Sequence, residues 1–410
     1  MSLRFIYGRA GSGKSTWCID NIKSEIERGS NSPLILIVPE QFSFQAEKRV
    51  LERLGEKGAF RVQVLSFSRM AEKVFNEVGG IVRRHMNNAG RSMLIYSVLE
   101  SNSDKLHIFK KASRKQGFAA SISDMITEFK RYNITPEAII ENIEALGDMS
   151  LKNKMEDLYL IFSSFEEKLH EKYIDSEDDL TILAAKLHAS KVFDGATIWI
   201  DEFASFTPQE LVIITRLFDK ARKINITLCS DGDNEEHFLT VKNTEDKLNR
   251  IIQEKGIKYE KPVMLSRESR RLQHNAELNH LEQHLFSYPY KTYNKKTERL
   301  SIFRALNSYS EVEETAREII RLCRDKGIKY RDIAVVSGDL DSYESLIRAV
   351  FSQYGISYFI DKKSNIINSP LIVLITSALE IVTKNWSYEA VFRYIKSGLL
   401  KLDQEEVDLL

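Results

Sequence analysis

Residues 8–15, with the sequence GRAGSGKS, constrain the fold more than any other part of this chain. They fit the pattern G-x-x-x-x-G-K-[ST], which forms a loop between a buried β-strand and an α-helix. The flanking residues agree with this context, because residues 3–7 are a short β-prone run and residues 15–27 have apolar side chains at helical spacing. The sequence therefore predicts a strand, a glycine-rich loop and a helix in that order.

A loop with this composition is suited to binding phosphate groups. Its glycines let backbone N–H groups curl around a β-phosphate, and the N-terminus of the following helix adds partial positive charge. Lys14 would neutralise the charge of the β- and γ-phosphates, and the hydroxyl of Ser15 would bind Mg²⁺. We therefore predict a site for ATP and Mg²⁺ that is formed by Gly8, Arg9, Ala10, Gly11, Ser12, Gly13, Lys14, Ser15 and Thr16.

A second anchor for Mg²⁺ is expected at the end of another buried strand in the same sheet. The run TIWIDE at residues 197–202 supplies an apolar strand followed by Asp201 and Glu202. Asp201 would hold the metal, and Glu202 could polarise the attacking water. The competing interpretation is a strand that ends in two solvated acids, which is a common arrangement.

The order of predicted elements indicates an α/β fold. Strand candidates alternate with helices at residues 33–38, 60–65, 197–201, 225–230 and 262–265, which predicts a largely parallel sheet covered by helices. Between about residues 83 and 189 only helical patterns follow one another. A second α/β pattern begins near residue 298. We therefore predict a P-loop domain of residues 1–82 and 190–290, a helical insertion at 83–189, and the start of a second domain at 298–410.

Composition excludes several classes of protein. The chain has 59 basic and 59 acidic residues, so no whole-chain field attracts nucleic acid or a membrane surface. Three widely spaced cysteines encode neither a disulfide framework nor a cysteine-built metal site. Apolar runs are far too short to span a bilayer, and the N-terminus does not resemble a signal peptide. We expect a cytoplasmic protein without a membrane partner. The last predicted helix, at 403–410, suggests that the chain is the N-terminal part of a longer polypeptide.

Several segments resemble motifs of the UvrD-type superfamily-one DNA helicases. Asp201-Glu202-Phe203 resembles the start of their DExx box, and residues 230–234 resemble the segment that couples nucleotide to DNA. Residues 265–270 are similar to the segment whose last residue, here Arg270, senses the γ-phosphate. Residues 332–336 resemble the opening of their second motor domain. The resemblance implies a RecA-like fold for both α/β regions.

Departures from that pattern narrow the resemblance to AddB-type B subunits of the bacterial AddAB helicase-nucleases. Ala204-Ser205 replaces the Gln-Asp that should follow the DExx start, and Asn234 replaces the coupling glutamine. The P-loop begins at residue 8, which leaves no room for an adenine-reading segment before it. Residues 38–41 and 206–210 also match this family.

That resemblance implies a heterodimer with a motor-bearing A subunit, processing of DNA double-strand ends and recognition of the Chi sequence. It also implies a C-terminal nuclease domain with an iron-sulfur cluster, for which this sequence lacks suitable cysteines. We expect a subunit that binds ATP and DNA, including single strands, but contributes little translocation.

A weaker signal for DNA binding is a basic strip between Phe109 and Phe118. It consists of Lys110, Lys111, Arg114 and Lys115. Such a strip could hold phosphates while the aromatic rings stack on bases. A solvated helix face explains the same pattern equally well.

Three other functions stay open at this point. The chain could belong to an autonomous superfamily-one helicase, which predicts further motor motifs and stimulation of the ATPase by single strands. It could be a small-molecule kinase, although its length and second domain weigh against that. It could also be an inert scaffold whose glycine-rich loop is only a structural turn.

Overall fold

In a computed structural model, the chain divides into two compact units, Met1–Leu300 and Ser301–Leu410. The structure describes residues 1–79, 84–113, 115, 117–144, 146–231, 238–266, 269–361, 366, 368–400 and 402. The predicted terminal helix at 403–410 lies outside the described residues. No described helix is long and apolar enough to cross a bilayer.

The first unit contains a parallel sheet. The strands of this unit are β1 (Ser2–Tyr7), β2 (Leu34–Ile37), β3 (Val62–Leu65), β4 (Arg84–His85), β5 (Tyr173–Ile174), β6 (Thr197–Ile200), β7 (Lys223–Leu228), β8 (Lys258–Tyr259) and β9 (Val263–Met264). Strands β4 and β5 form a separate two-stranded sheet, and the other strands form the large sheet. The large sheet has the order β3-β2-β6-β7-β1-β8, and β9 also pairs with β1. Every pairing between the described strands is parallel. The prediction of a parallel α/β sheet is confirmed.

Helices connect these strands and cover the sheet. They are α1 (Lys14–Glu27), α2 (Ser43–Ala59), α3 (Phe67–Val78), α4 (Asn88–Asn102), α5 (Phe118–Arg131), α6 (Pro136–Ile143), α7 (Met149–Lys172), α8 (Asp179–Lys186), α9 (Pro208–Leu217), α10 (Leu239–Glu254) and α11 (Ala276–His284). Local sequence sets several of their starts: Thr207 and Glu210 form a capping box at α9, and Ser66 caps α3.

Both faces of the sheet are buried, as the continuous apolar strands predict. Along β2, Ile35 and Ile37 belong to one apolar core, whereas Leu34 and Leu36 belong to a second core that includes Trp199. This alternation follows from the two-residue period of a strand. The rigid support for the loop after β1 is therefore a sheet that is packed on both sides.

The helices α4, α5, α6 and α7 contribute to a separate apolar core, which contains Ile95, Ile126, Ile161 and Phe165. These helices lie within the range 83–189, where only helical patterns were predicted. The short strands β4 and β5 also lie there, so the prediction of an all-helical segment was wrong on that point, because strands of two residues leave no readable period in the sequence. A group of buried and half-buried charges, called here the insert cluster, fixes them to the segment before α8. It consists of Arg91, Lys130, Glu166, Asp175 and Asp178.

The second unit contains α12 (Ser308–Lys326), α13 (Leu340–Gln353), α14 (Pro370–Thr383) and α15 (Tyr388–Ile395). Its core joins α12 to α13 through residues such as Ala316 and Val350. The predicted strands at 300–304, 332–336 and 356–360 form no ladder within the described part of the chain. Ile302, Val336 and Phe359 are 95%, 92% and 87% exposed there. A β-prone sequence becomes a strand only where another backbone satisfies its hydrogen bonds. The apolar composition of these three segments therefore predicted strands that the described residues do not form.

Candidate functional site

The loop after β1 has the backbone conformation that its glycines permit. Gly11 and Gly13 have φ angles of 76° and 100°, in the left-handed region that disfavours side chains. A Cβ atom at Gly11 would also collide with the hydroxyl of Ser269. Gly13 directly precedes α1, so the curled loop leads straight into the N-terminus of that helix. This arrangement directs backbone N–H groups toward the space where phosphates would lie.

The ammonium group of Lys14 folds back over this loop. Its Nζ donates to the carbonyl oxygens of Gly8 at 2.7 Å and Arg9 at 3.0 Å. Neither acceptor carries a formal charge, so Lys14 has no counter-ion among the residues that the structure describes. Ser12 is 1% exposed, and within the described part of the chain its hydroxyl oxygen has no hydrogen-bond partner. A phosphate group in the cavity would supply the charge that Lys14 lacks.

Asp201 and Glu202 follow β6, which is separated from β1 by β7. Parallel strands place their carboxyl ends at one edge of the sheet, so both acids lie beside the glycine-rich loop. Asp201 is 3% exposed and accepts a hydrogen bond from the hydroxyl of Thr227 at 2.6 Å. That bond holds one carboxylate oxygen in place in the interior of the site.

Glu202 has an unusual backbone and incomplete partners. Its φ angle is 69°, which is strained for a residue with a side chain. Its Oε1 lies 3.5 Å from Ser15 Oγ and 2.6 Å from a guanidinium nitrogen of Arg49. Its buried Oε2 has no hydrogen-bond partner among the described residues. Strain of this kind is common where a side chain must be aimed at a ligand.

These side chains line one cavity of about 760 Å³. The predicted residues that reach it are Ala10, Gly11, Gly13, Lys14, Ser15, Thr16, Asp201, Glu202 and Arg270. Arg270 is close to the loop, because its Cδ lies 3.5 Å from where a Cβ of Gly13 would be. The volume is large enough for a nucleotide. The structure thus brings most of the predicted site together, and the role of each residue stays a prediction.

Arg9 points elsewhere. It is 4% exposed, and its guanidinium bonds to Asp231 at 2.8 Å and to Glu282 at 3.0 Å, with the ring of Phe238 at 5.1 Å. Burial alone would lower its pKa, but the hydrogen bonds to both carboxylates raise the pKa above its usual value. The side chain of Arg9 therefore attaches the loop to α11, and Arg9, like Gly8 and Ser12, is not among the described residues that line the cavity.

Sequence reasoning missed three members of the site. Thr227 is a polar residue inside a buried strand, and this was a usable signal, because buried hydroxyls need partners. Arg49 and Arg53 come from α2 and line the cavity, but no motif marks them. Their place depends on how α2 packs, which residue spacing does not reveal.

The basic strip is only partly described, since Arg114 lies outside the described residues. Lys110, Lys111 and Lys115 are exposed, and Lys110 pairs with Asp104 at 3.4 Å. The flanking Phe109 and Phe118 have ring centroids 5.2 Å apart and pack against the core of the insertion. These rings are consequently not displayed for stacking on bases, although the lysines could still contact phosphates.

Other predicted features can be placed or set aside. Cys18 is fully buried, and burial followed by the charge of Asp201 raises the pKa of its thiol, which fits a core residue. Asn234 and the rest of 232–237 lie outside the described residues. Among the described residues, no group of three or more His, Cys, Asp or Glu side chains is placed to hold a metal. Binding of Mg²⁺ through Ser15, Asp201 and phosphate oxygens needs no such group.

Comparison with known proteins gives a consistent result. The family described as "ADDB, N-terminal" matches residues 5–282. The B subunit of an ATP-dependent helicase/deoxyribonuclease from Clostridium botulinum (strain Loch Maree / Type A3) is 56% identical, over 100% of this chain and 36% of the relative. The proteins of the same name from Clostridium tetani and Thermoanaerobacter sp. are 52% and 50% identical, over 100% of this chain and 37% and 36% of their lengths. The chain thus spans little more than a third of these curated relatives.

Proposed function

Since this chain belongs to the ADDB family, through the N-terminal region of that family, we propose that it is the nucleotide-binding part of a B subunit of an ATP-dependent helicase-deoxyribonuclease. One observation carries this proposal: a single cavity is lined by Lys14, Ser15, Asp201, Glu202 and Arg270. A loop that binds phosphate, a carboxylate for Mg²⁺ and an additional arginine are the parts that an ATP site needs.

The residues around the cavity fit ATP and Mg²⁺. Phosphate oxygens would replace the two carbonyls as acceptors for Lys14, and the metal would lie between Ser15 and Asp201. Arg270 would contact the γ-phosphate through its planar guanidinium, which suits a two-point contact. Glu202 would orient water only after its contact with Arg49 opens. Ala204 and Ser205 stand where motor helicases have Gln-Asp, so we propose little contribution to translocation.

The remaining features of the complete protein are proposals of the same kind. We infer a heterodimer with a motor-bearing A subunit that acts in the cytoplasm on DNA ends and single strands, with Chi recognition. An iron-sulfur cluster would belong to a C-terminal nuclease domain. Within this chain, we propose that residues 1–82 and 190–290 form the P-loop domain, 83–189 the helical insertion, and 298–410 the start of a second RecA-like domain.

Thermal unfolding with and without MgATP tests the nucleotide site. A ligand at 100 times its dissociation constant stabilises a fold by about 2.7 kcal/mol, and we expect the complete gene product to gain this amount. Lys14→Ala should abolish the gain while unfolding near the same temperature as the parent without ligand. Lys111→Ala, an exposed lysine of the basic strip, is the matched control and should keep the gain. An equal gain in Lys14→Ala would contradict the proposed site.

A further inference from the structure

A loop at residues 285–299, called here the aromatic loop, follows α11 and folds back on it. The carboxylate of Glu277 accepts hydrogen bonds from the backbone N–H groups of Glu298 at 2.7 Å and Arg299 at 3.0 Å. His280 Nε2 donates to the carbonyl oxygen of Lys291 at 2.9 Å, and its ring lies 5.2 Å from that of Tyr293. The backbone of this loop is thus held at its middle and at its end by one helix.

The loop displays aromatic rings to solvent instead of burying them. Phe286, Tyr288 and Tyr290 are 75%, 88% and 80% exposed. The rings of Tyr288 and Tyr290 lie edge to face, with centroids 5.9 Å apart. Large apolar side chains that are clustered and exposed usually mark a binding surface. Because α11 holds the backbone of the loop, less conformational entropy is lost when a ligand binds to these rings.

Positive charge follows these rings along the loop. Residues 285–299 have four basic side chains and one acidic one, in a chain whose net charge is zero. Lys291, Lys295 and Lys296 are exposed, and across the described residues no carboxylate pairs with any of them. An exposed cation without an internal partner is available to a phosphate group.

We propose that the aromatic loop binds single-stranded DNA, with bases stacked on Phe286, Tyr288 and Tyr290 and phosphates contacted by its lysines. Stacking on protein rings requires unpaired bases, so a single strand fits this surface better than a duplex. The loop combines exposed rings with exposed cations, whereas the rings beside the Lys110 strip are packed into a core. This inference rests on the proposed function and adds to it a contact surface for DNA.

The same helix connects the aromatic loop to the nucleotide site. Glu282 of α11 bonds to Arg9 through its carboxylate at 3.0 Å and through its backbone carbonyl at 2.8 Å. Arg9 is the second residue of the glycine-rich loop. Bound DNA and bound nucleotide would therefore be supported by one helix, on surfaces that do not overlap.

The test is the affinity of the complete gene product for a fluorescent oligodeoxythymidylate, measured by anisotropy in EDTA to prevent metal-dependent cleavage. The double variant Tyr288→Ala/Tyr290→Ala should bind at least about 10-fold more weakly, since each stacked base contributes substantially. Replacing Lys291, Lys295 and Lys296 by Gln should lower the slope of log affinity against log salt by about 2. Tyr96→Ala is the matched control, because Tyr96 is 56% exposed and no lysine or arginine lies between residues 92 and 104.

Stabilisation by MgATP shows whether each variant is folded. If the parent protein binds the oligonucleotide and every loop variant matches it, the aromatic loop is not the contact surface, while the proposed function stands. If the parent binds no oligonucleotide, both the loop assignment and the proposed DNA role are overturned. If the loop variants keep their DNA affinity but lose a protein partner, the surface docks protein and the inference is likewise overturned.

Discussion

Two groups of charged side chains in the first unit differ in how completely they are paired. In the insert cluster, Lys130 is 7% exposed and lies 2.7 Å from Asp178, 2.8 Å from Glu166 and 3.3 Å from Asp175. Arg91 bonds to Asp175 at 3.0 Å. Every charge there has an opposite charge within reach.

The nucleotide cavity is paired less completely. Among the described residues, neither Lys14 nor Asp201 has an oppositely charged partner: Lys14 donates to two backbone carbonyls, and Asp201 accepts from the hydroxyl of Thr227. Burial would lower the pKa of Lys130, yet the carboxylates of Glu166, Asp178 and Asp175 raise it above its usual value. The difference fits a cluster that fixes elements to one another and a cavity whose charges, under the proposed function, a ligand completes.

The largest effect expected from this comparison is the loss of stability in Lys130→Met. Removing one member of a buried ion pair leaves other charges uncompensated, which costs about 3–5 kcal/mol. Urea unfolding of the complete gene product measures it. The gain from MgATP should persist in the folded fraction, and Lys111→Met should change stability by less than about 0.5 kcal/mol. A stable Lys130→Met protein would show that the insert cluster is not needed for folding.

Glu260 is a paired carboxylate at the edge of the sheet opposite the nucleotide cavity, and its contribution to stability depends on pH. Glu260 accepts from Ser2 at 2.6 Å and Lys223 at 2.7 Å, and it also pairs with Arg4. Burial opposes ionisation, but these partners lower the pKa of Glu260 to about 2. The carboxylate is more acidic when folded, so its stabilisation is complete above its unfolded pKa and is lost as pH falls toward 2.

We expect Glu260→Gln to lose about 2 kcal/mol at neutral pH, after allowance for partial exposure, and to match the parent near pH 2. Urea unfolding as a function of pH measures this difference. A constant difference across that range would mean that the charge of Glu260 does not contribute.

The sequence predicted the site best where a residue's place depends on a local backbone conformation or on the end of a strand. The glycines of residues 8–15 were predicted from their motif, and the acids after β6 were predicted because parallel strands bring such positions to one edge. The place of Arg49 depends on the packing of α2, and the inward contacts of Arg9 depend on α11, which is more than 250 residues away in sequence. The predicted strands near 332–336 and 356–360 failed for a related reason, since a strand depends on a partner that its own sequence does not encode.

Thr227→Val tests how much one hydrogen bond inside the nucleotide cavity contributes to stability. The change keeps the shape of the side chain but removes the hydrogen bond to buried Asp201. We expect a loss of about 1–2 kcal/mol without nucleotide, smaller than for Lys130→Met, because one hydrogen bond is lost and no ion pair is broken. Urea unfolding measures it. Thr215→Val, whose hydroxyl bonds to the carbonyl of Leu211 within its own helix, is the control and should cost less.

The smallest effect on stability is expected for Arg49→Ala. The side chain is 43% exposed, and exposed ion pairs contribute less than about 1 kcal/mol. The variant should nevertheless bind ATP about threefold more weakly, because the cavity loses a cation that faces a polyanion. Isothermal titration measures this affinity. Arg53→Ala is the control: Arg53 pairs with Asp20 and not with Glu202, and its side chain is more exposed than that of Arg49, so its removal should change ATP affinity less. Tighter binding by Arg49→Ala would mean that Arg49 blocks the phosphate position, and that the cavity is more fully paired than the comparison with the insert cluster assumes.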